Sequence, residues 1–147
     1  MTQKIFRVGF FILLLKLLGI AYSDELKDSE ILVSVICDDV DSGWVYIALH
    51  STEKTFPKKG ADATYLSKTK ISQGKVKVSF KEIPQGDYAV SAFYDENGNG
   101  ILDYNFLGIP KEKAGVSNKY SGFPKWEKSK FVVKSSFVSK IIIDLRK

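Results

Sequence analysis

The run Lys75-Val76-Lys77-Val78-Ser79-Phe80 alternates polar and apolar residues without a break. Side chains of an extended strand point to opposite faces in turn, so Val76, Val78 and Phe80 share one side while the lysines and Ser79 share the other. A sheet with one dry and one wet face satisfies this pattern, and a helical period does not. Related β-branched and aromatic runs occupy residues 31–37, Trp44–His50, residues 87–94, 130–133 and 140–145. No amphipathic helix of ordinary length interrupts them. Short strands separated by turn chemistry predict an all-β fold, an antiparallel β-sandwich of six or seven strands.

The connections are unequal. The polar turn Asp38-Asp39-Val40-Asp41-Ser42-Gly43 predicts a hairpin between the first two strands, and its aspartates read as a solvated tip. Pro84-Gln85-Gly86 marks a tight turn. Two connections are long, residues 52–74 and 96–129. Loops of this length are uncommon unless they are functional or locally folded. Residues 61–68 have some helical propensity and allow a short helix.

The first 23 residues read as a secretory signal peptide. Lys4 and Arg7 supply the positive start, residues 8–21 are apolar apart from Lys16 and two glycines, and Ala21-Tyr22-Ser23 supplies small residues for cleavage before Asp24. The apolar run is shorter than the roughly 20 residues of a membrane span. The expected organisation is therefore a signal peptide over 1–23, a short polar tail over 24–30 and a β-sandwich domain over 31–147. The mature protein is expected in the periplasm or the medium, with no membrane span.

Composition narrows the function. The chain has 22 Lys and Arg against 17 Asp and Glu, and losing Lys4, Arg7 and Lys16 with the leader lowers the net charge from +5 to +2. The remaining lysines are scattered along strands, so no basic patch points to nucleic acid. Cys37 is the single cysteine. An exported chain with one cysteine has no internal disulfide, and Cys37 reads as a small buried hydrophobe. His50 is the single histidine, which excludes a histidine-rich metal centre. No nucleophile elbow or phosphate-binding glycine loop is present, so the sequence points to no reaction.

The densest chemistry lies in Tyr94-Asp95-Glu96-Asn97-Gly98-Asn99-Gly100-Ile101-Leu102-Asp103. Oxygen-bearing side chains alternate with glycines that permit sharp turns. Hard cations such as calcium take six to eight oxygens. The set expected here is the side chains of Asp95, Asn97, Asn99 and Asp103 with the carbonyl of Ile101. Phe106 stands where an EF-hand would place its bidentate glutamate, and flanking helices are absent. Glu112 is the nearest carboxylate able to complete the site, with Glu96 and Asp87 in reserve. The competing reading is a metal-free turn whose Asn and Asp side chains satisfy their own backbone. In the same connection, Tyr104, Phe106, Tyr120, Phe123 and Trp126 either line a ligand face or fold the loop back as a small core.

The segment Ile83-Pro84-Gln85-Gly86-Asp87-Tyr88-Ala89-Val90, the turn just described, Leu107-Gly108-Ile109-Pro110-Lys111-Glu112, Gly115-Val116-Ser117-Asn118 and Phe123-Pro124 together resemble the exported bacterial family catalogued as domain of unknown function 2141. The resemblance spans residues 31–145. It implies a transthyretin-like or carboxypeptidase-regulatory-like sandwich and implies no reaction. The functional expectation is an exported structural or binding module with a weak calcium loop, meeting a protein, glycan or envelope partner. The alternative is a small-ligand carrier or enzyme with a pocket under the 96–129 connection.

Overall fold

The computed structural model describes residues 29–57, 63–119 and 122–145. The leader, its cleavage site and Tyr120 lie outside these residues. Alternation becomes strand where it was clearest: β1 (Glu30–Ile36), β2 (Trp44–His50), β4 (Lys75–Phe80) and β5 (Gly86–Asp95). The remaining strands are β3 (Tyr65–Lys70), β6 (Ala114–Val116), β7 (Phe131–Val133) and β8 (Val138–Asp144). A 3-10 turn at Ser117–Lys119 and the single-turn helix α1 (Trp126–Ser129) sit between β6 and β7.

Two open sheets pack face to face. One has the order β4-β1-β8, and the other runs β3-β2-β5-β6 with β7 also paired to β5. Pairing is antiparallel except for β1 with β8, which run parallel. Ile31, Val33 and Val35 of β1, Val76 and Phe80 of β4, and Ile143 of β8 form one half of the core. Val45, Ile47 and Leu49 of β2 with Tyr88, Val90 and Ala92 of β5 form the other half. Val76 and Phe80 thus face inward as the alternation requires, with Val78 partly buried beside them. Each fully buried aliphatic side chain of this kind contributes about 1.5–3 kcal/mol.

The sheets come very close at Gly115. A Cβ added there would lie 2.9 Å from Ile143 Cγ2 and 3.1 Å from Leu145 Cδ2. Any side chain at this position would push β6 away from β8. Cys37 is fully buried in the same core, and burial pushes its thiol up to about 11, so it is inert as a nucleophile.

Three expectations are corrected. First, β1 and β2 do not form a hairpin. β1 pairs with β4 and β8, whereas β2 pairs with β3 and β5. Both strands bury alternate residues, so the turn at 38–43 carries the chain across to the facing sheet and the two apolar sets meet between them. Asp39 of that crossover is ion-paired to Lys113, and the Tyr94 hydroxyl donates to the Ser42 carbonyl at 3.0 Å. Second, residues 65–70 are an edge strand and not part of a helix. Tyr65, Ser67 and Thr69 turn to one side and Leu66, Lys68 and Lys70 to the other, a period of two that offers no helical stripe. Ala61 and Asp62 lie outside the described residues. Third, eight strands are present among the described residues, because the connections over 52–74 and 96–129 contain β3 and β6.

β6 and β7 follow one another along β5. Val116 is opposite Ser91, and Phe131 is opposite Tyr88. Three steps along β5 are therefore matched by a 14-residue excursion, residues 117–130. The gap in the ladder is closed by a side chain. The fully buried Ser117 hydroxyl accepts the Val90 N–H at 3.0 Å and donates to the Ser129 carbonyl at 2.6 Å. Asn118 Nδ2 donates to the Lys130 carbonyl at 2.9 Å and holds the returning chain.

Candidate functional site

β5 ends at Asp95, and the acidic turn begins there. Asp95 is buried and caps the turn with both oxygens: Oδ1 accepts the Gly98 N–H at 2.9 Å and Oδ2 accepts the Gly100 N–H at 3.0 Å. Gly98 and Gly100 have φ of 77° and 75°, values that favour glycine and let the chain double back over the carboxylate. Asn97 Oδ1 accepts the Asn99 N–H, and Asn99 Oδ1 accepts the Ile101 N–H. The two amide nitrogens then converge on Asp103 Oδ2 at 2.7 and 2.9 Å.

Glu112 completes the assembly from nine residues downstream of Asp103. It is buried, and its Oε1 and Oε2 accept the Glu96 and Asp103 N–H groups at 2.9 and 3.1 Å. One carboxylate thereby clamps both ends of the turn. The structure joins Asn97, Asn99 and Asp103 through their side chains, while Asp95 and Glu112 hold the backbone of the turn and Ile101 is exposed at its rim. Asp87 is not part of the cluster: it lies at the opposite end of β5, where Lys130 approaches it at 3.1 Å. Among the described residues no three acidic, histidine or cysteine side chains converge as a metal-binding group. The turn is held by its own hydrogen bonds, with the asparagine oxygens engaged in Asx turns.

The second feature is the outer face of the five-stranded sheet. Register places side chains in rows across it. Lys70 and Trp44 stand beside Asp95, and the next row is Lys68, Tyr46, Phe93 and Ala114. A third row is Leu66, Ala48, Ser91 and Val116. The Tyr46 and Phe93 rings are stacked with centroids 5.0 Å apart and planes 6° from parallel. Lys68 Nζ lies 4.6 Å from the centre of the Trp44 ring and 5.3 Å from that of Tyr46. Trp44 remains 41% exposed. The acidic turn borders this face, since a Cβ at Gly100 would come within 3.0 Å of the Tyr46 hydroxyl.

The far end of the face is closed by a second small core of Phe56, Ala89, Val116 and Trp126. His50 lies under it, 3% exposed, with its Nε2 2.9 Å from Ser91 Oγ and Phe56 standing edge-on to its ring at 5.3 Å. Burial pulls the imidazole down to about 4, against a smaller opposing effect of the Thr55 backbone, so it is neutral at pH 7. Among the described residues His50 Nδ1 makes no hydrogen bond of good geometry, the Thr55 backbone acting on it only weakly. No carboxylate orients the ring, which leaves a serine–histidine pair without a third member. An open recess beside the cluster is lined by Phe56, Pro124 and Trp126 and rimmed by Glu53, Lys54, Lys125 and Glu127.

The loop aromatics divide. Trp126 packs into the small core, Tyr104 is half-buried, and Phe106 and Phe123 face solvent, Phe106 at 94% exposure. The aromatic surface comes instead from strand residues. Its one sequence signal was the outward set Trp44, Tyr46, Ala48 and His50 of β2, unusually aromatic for a wet face.

Two packed open sheets, with an acidic turn at one end and an aromatic row on the outer face, make this an all-β sandwich domain. The chain belongs to the family described as an uncharacterized protein conserved in bacteria (DUF2141), which matches residues 33–140. That span runs from β1 into β8 and includes both the turn and the face. Neither the curated proteins nor the solved structures compared with this chain gave a match.

Proposed function

We propose that the domain is an exported binding module that meets its partner through the outer face of the five-stranded sheet, with the turn after β5 as a weak calcium site at the edge of that face. The observation that carries the reading is the contrast along one sheet. Phe56 and Trp126 cover its His50 end, while Trp44 is exposed and the stacked Tyr46–Phe93 pair beside it is only partly buried. Exposed aromatic clusters on a rigid scaffold favour recognition. The leader-like residues 1–23 support export, and among the described residues no helix is long and apolar enough to cross a membrane.

The test is retention on a bacterial cell-envelope preparation. Wild-type protein should be retained, and Trp44→Ala with Tyr46→Ala should weaken retention at least about tenfold, the loss of a central aromatic anchor. Equal retention of both proteins would remove the face from the mechanism. Protein recovered from the host should begin at Asp24, and an intact Met1 in the membrane fraction would turn the leader into an anchor.

Calcium adds a second measurement. Two carboxylates, Asp95 and Asp103, and two asparagines suit a dissociation constant of about 10⁻⁴ M, the extracellular range. At about 2 mM calcium, binding to the folded state alone adds about 1.8 kcal/mol. That corresponds to a rise of several degrees in melting temperature. Chelation should reverse it, magnesium should substitute poorly, and Asp103→Ala should abolish it. A melting temperature insensitive to calcium up to about 1 mM, ten times that constant, would leave a self-satisfied Asx turn.

A further inference from the structure

We propose that the partner bound by this face is an acidic saccharide, with a pyranose ring seated against the aromatic ridge and its carboxylate met by Lys68 and Lys70. The inference rests on the reading of the face as a binding surface and gives that surface a ligand chemistry.

Three observations converge. The stacked Tyr46 and Phe93 rings form a flat-sided ridge, and the small residue Ala48 leaves the next row lower. A ridge beside a shallow floor suits a ring whose C–H face is apolar and whose rim is polar. The floor also carries one fixed hydroxyl. Ser91 Oγ is tied from below by the buried His50, so its position is set before a ligand arrives. At the β3 side Lys68 rests against the Trp44 and Tyr46 rings, and Lys70 is the register partner of Trp44. Among the described residues neither lysine is ion-paired with a carboxylate. Two cations beside the exposed Trp44 ring and the half-buried Tyr46 ring complement a ring that bears an anionic group.

Charge at the other border selects against a polynucleotide. Single-stranded nucleic acid needs a positive track along its backbone. Here the aromatic rows run into the turn carrying Asp95, Glu96, Asp103 and Glu112, which would repel successive phosphates. A saccharide with its carboxylate toward Lys68 and its hydroxyls toward the turn avoids that repulsion.

The experiment is calorimetric titration of the purified protein with tetragalacturonate, its methyl ester and an eight-residue oligothymidylate. Chelator is present throughout, so calcium cannot bridge uronates to the turn. The acidic tetramer should bind, and Trp44→Ala or Phe93→Ala should weaken it at least about tenfold, the loss of one stacking contact. Lys68→Gln should weaken the acidic tetramer about fivefold and leave the methyl ester unchanged, as expected for one desolvated charge contact. Melting curves confirm that each variant is folded. Equal affinity for the acid and its ester, with no effect of Lys68→Gln, would overturn the acidic assignment. Tighter binding of the oligothymidylate would overturn the saccharide. If no saccharide binds while envelope retention still depends on Trp44 and Tyr46, this inference fails and the binding-module reading stands.

Discussion

Ser117→Ala should lower the unfolding free energy by about 2–4 kcal/mol in urea, the largest effect expected of any change outside the main core. The hydroxyl is fully buried and stands between the Val90 N–H and the Ser129 carbonyl. Alanine fills almost the same space but leaves both backbone groups without a partner. A buried unpaired polar group costs about 1–3 kcal/mol, and here there are two. Nothing nearby replaces the bond, because the chain on either side has already left the ladder. A loss below about 1 kcal/mol would mean that β6 and β7 hold to β5 without the hydroxyl, contrary to the geometry.

The second large effect is a loss of stability in mild acid. His50 titrates at about 4 in the folded chain, principally through burial, against 6.5 ordinarily. Between those values the unfolded chain binds the proton and the folded chain does not. Its contribution is therefore complete above pH 6.5, falls as the pH is lowered through the window, and is lost below about 4. After allowance for water at the ring edge, the change is about 2 kcal/mol. Protonation would place an imidazolium between Phe56 and the sheet, so the cover over the far end of the face should loosen first. Carboxylates also titrate in acid, so the measurement is the difference between wild type and His50→Phe. Parallel stability curves from pH 7 to pH 4 would show that His50 is charged in the folded protein.

What could be read from the sequence follows from how local each signal is. The strand Lys75–Phe80 needed only its own alternation, and β1 and β2 were plain as strands from their β-branched and aromatic runs. The partner of β1 was not, because alternation states which face is buried and says nothing about which sheet a strand joins. β3 was missed because Tyr65-Leu66-Ser67-Lys68-Thr69-Lys70 is an exposed edge whose period carries little apolar contrast. β6 and β7 are three residues each, below the length at which a period exists.

The acidic turn was legible because its parts lie within nine residues, and Glu112 followed closely enough to be considered. In the fold Asn97 and Asn99 join Asp103, and Glu112 holds the backbone at both ends of the turn. The aromatic face was legible only on β2, for the opposite reason. Tyr46 and Phe93 are brought together only by the β2–β5 register, and Lys68 only by that of β2 with β3.

The broken edge along β5 separates two kinds of inheritance. Sheet register is held by Ser117, Asn118 and the short pairings that flank the excursion, whereas the surface shape at that end depends on what the excursion carries, such as Trp126 over Phe56. Val116 opposite Ser91 and Phe131 opposite Tyr88 fix where the excursion leaves and rejoins β5. The fold thus contains a segment free to diversify while the scaffold beneath it stays constant, a natural splice point for a new recognition loop.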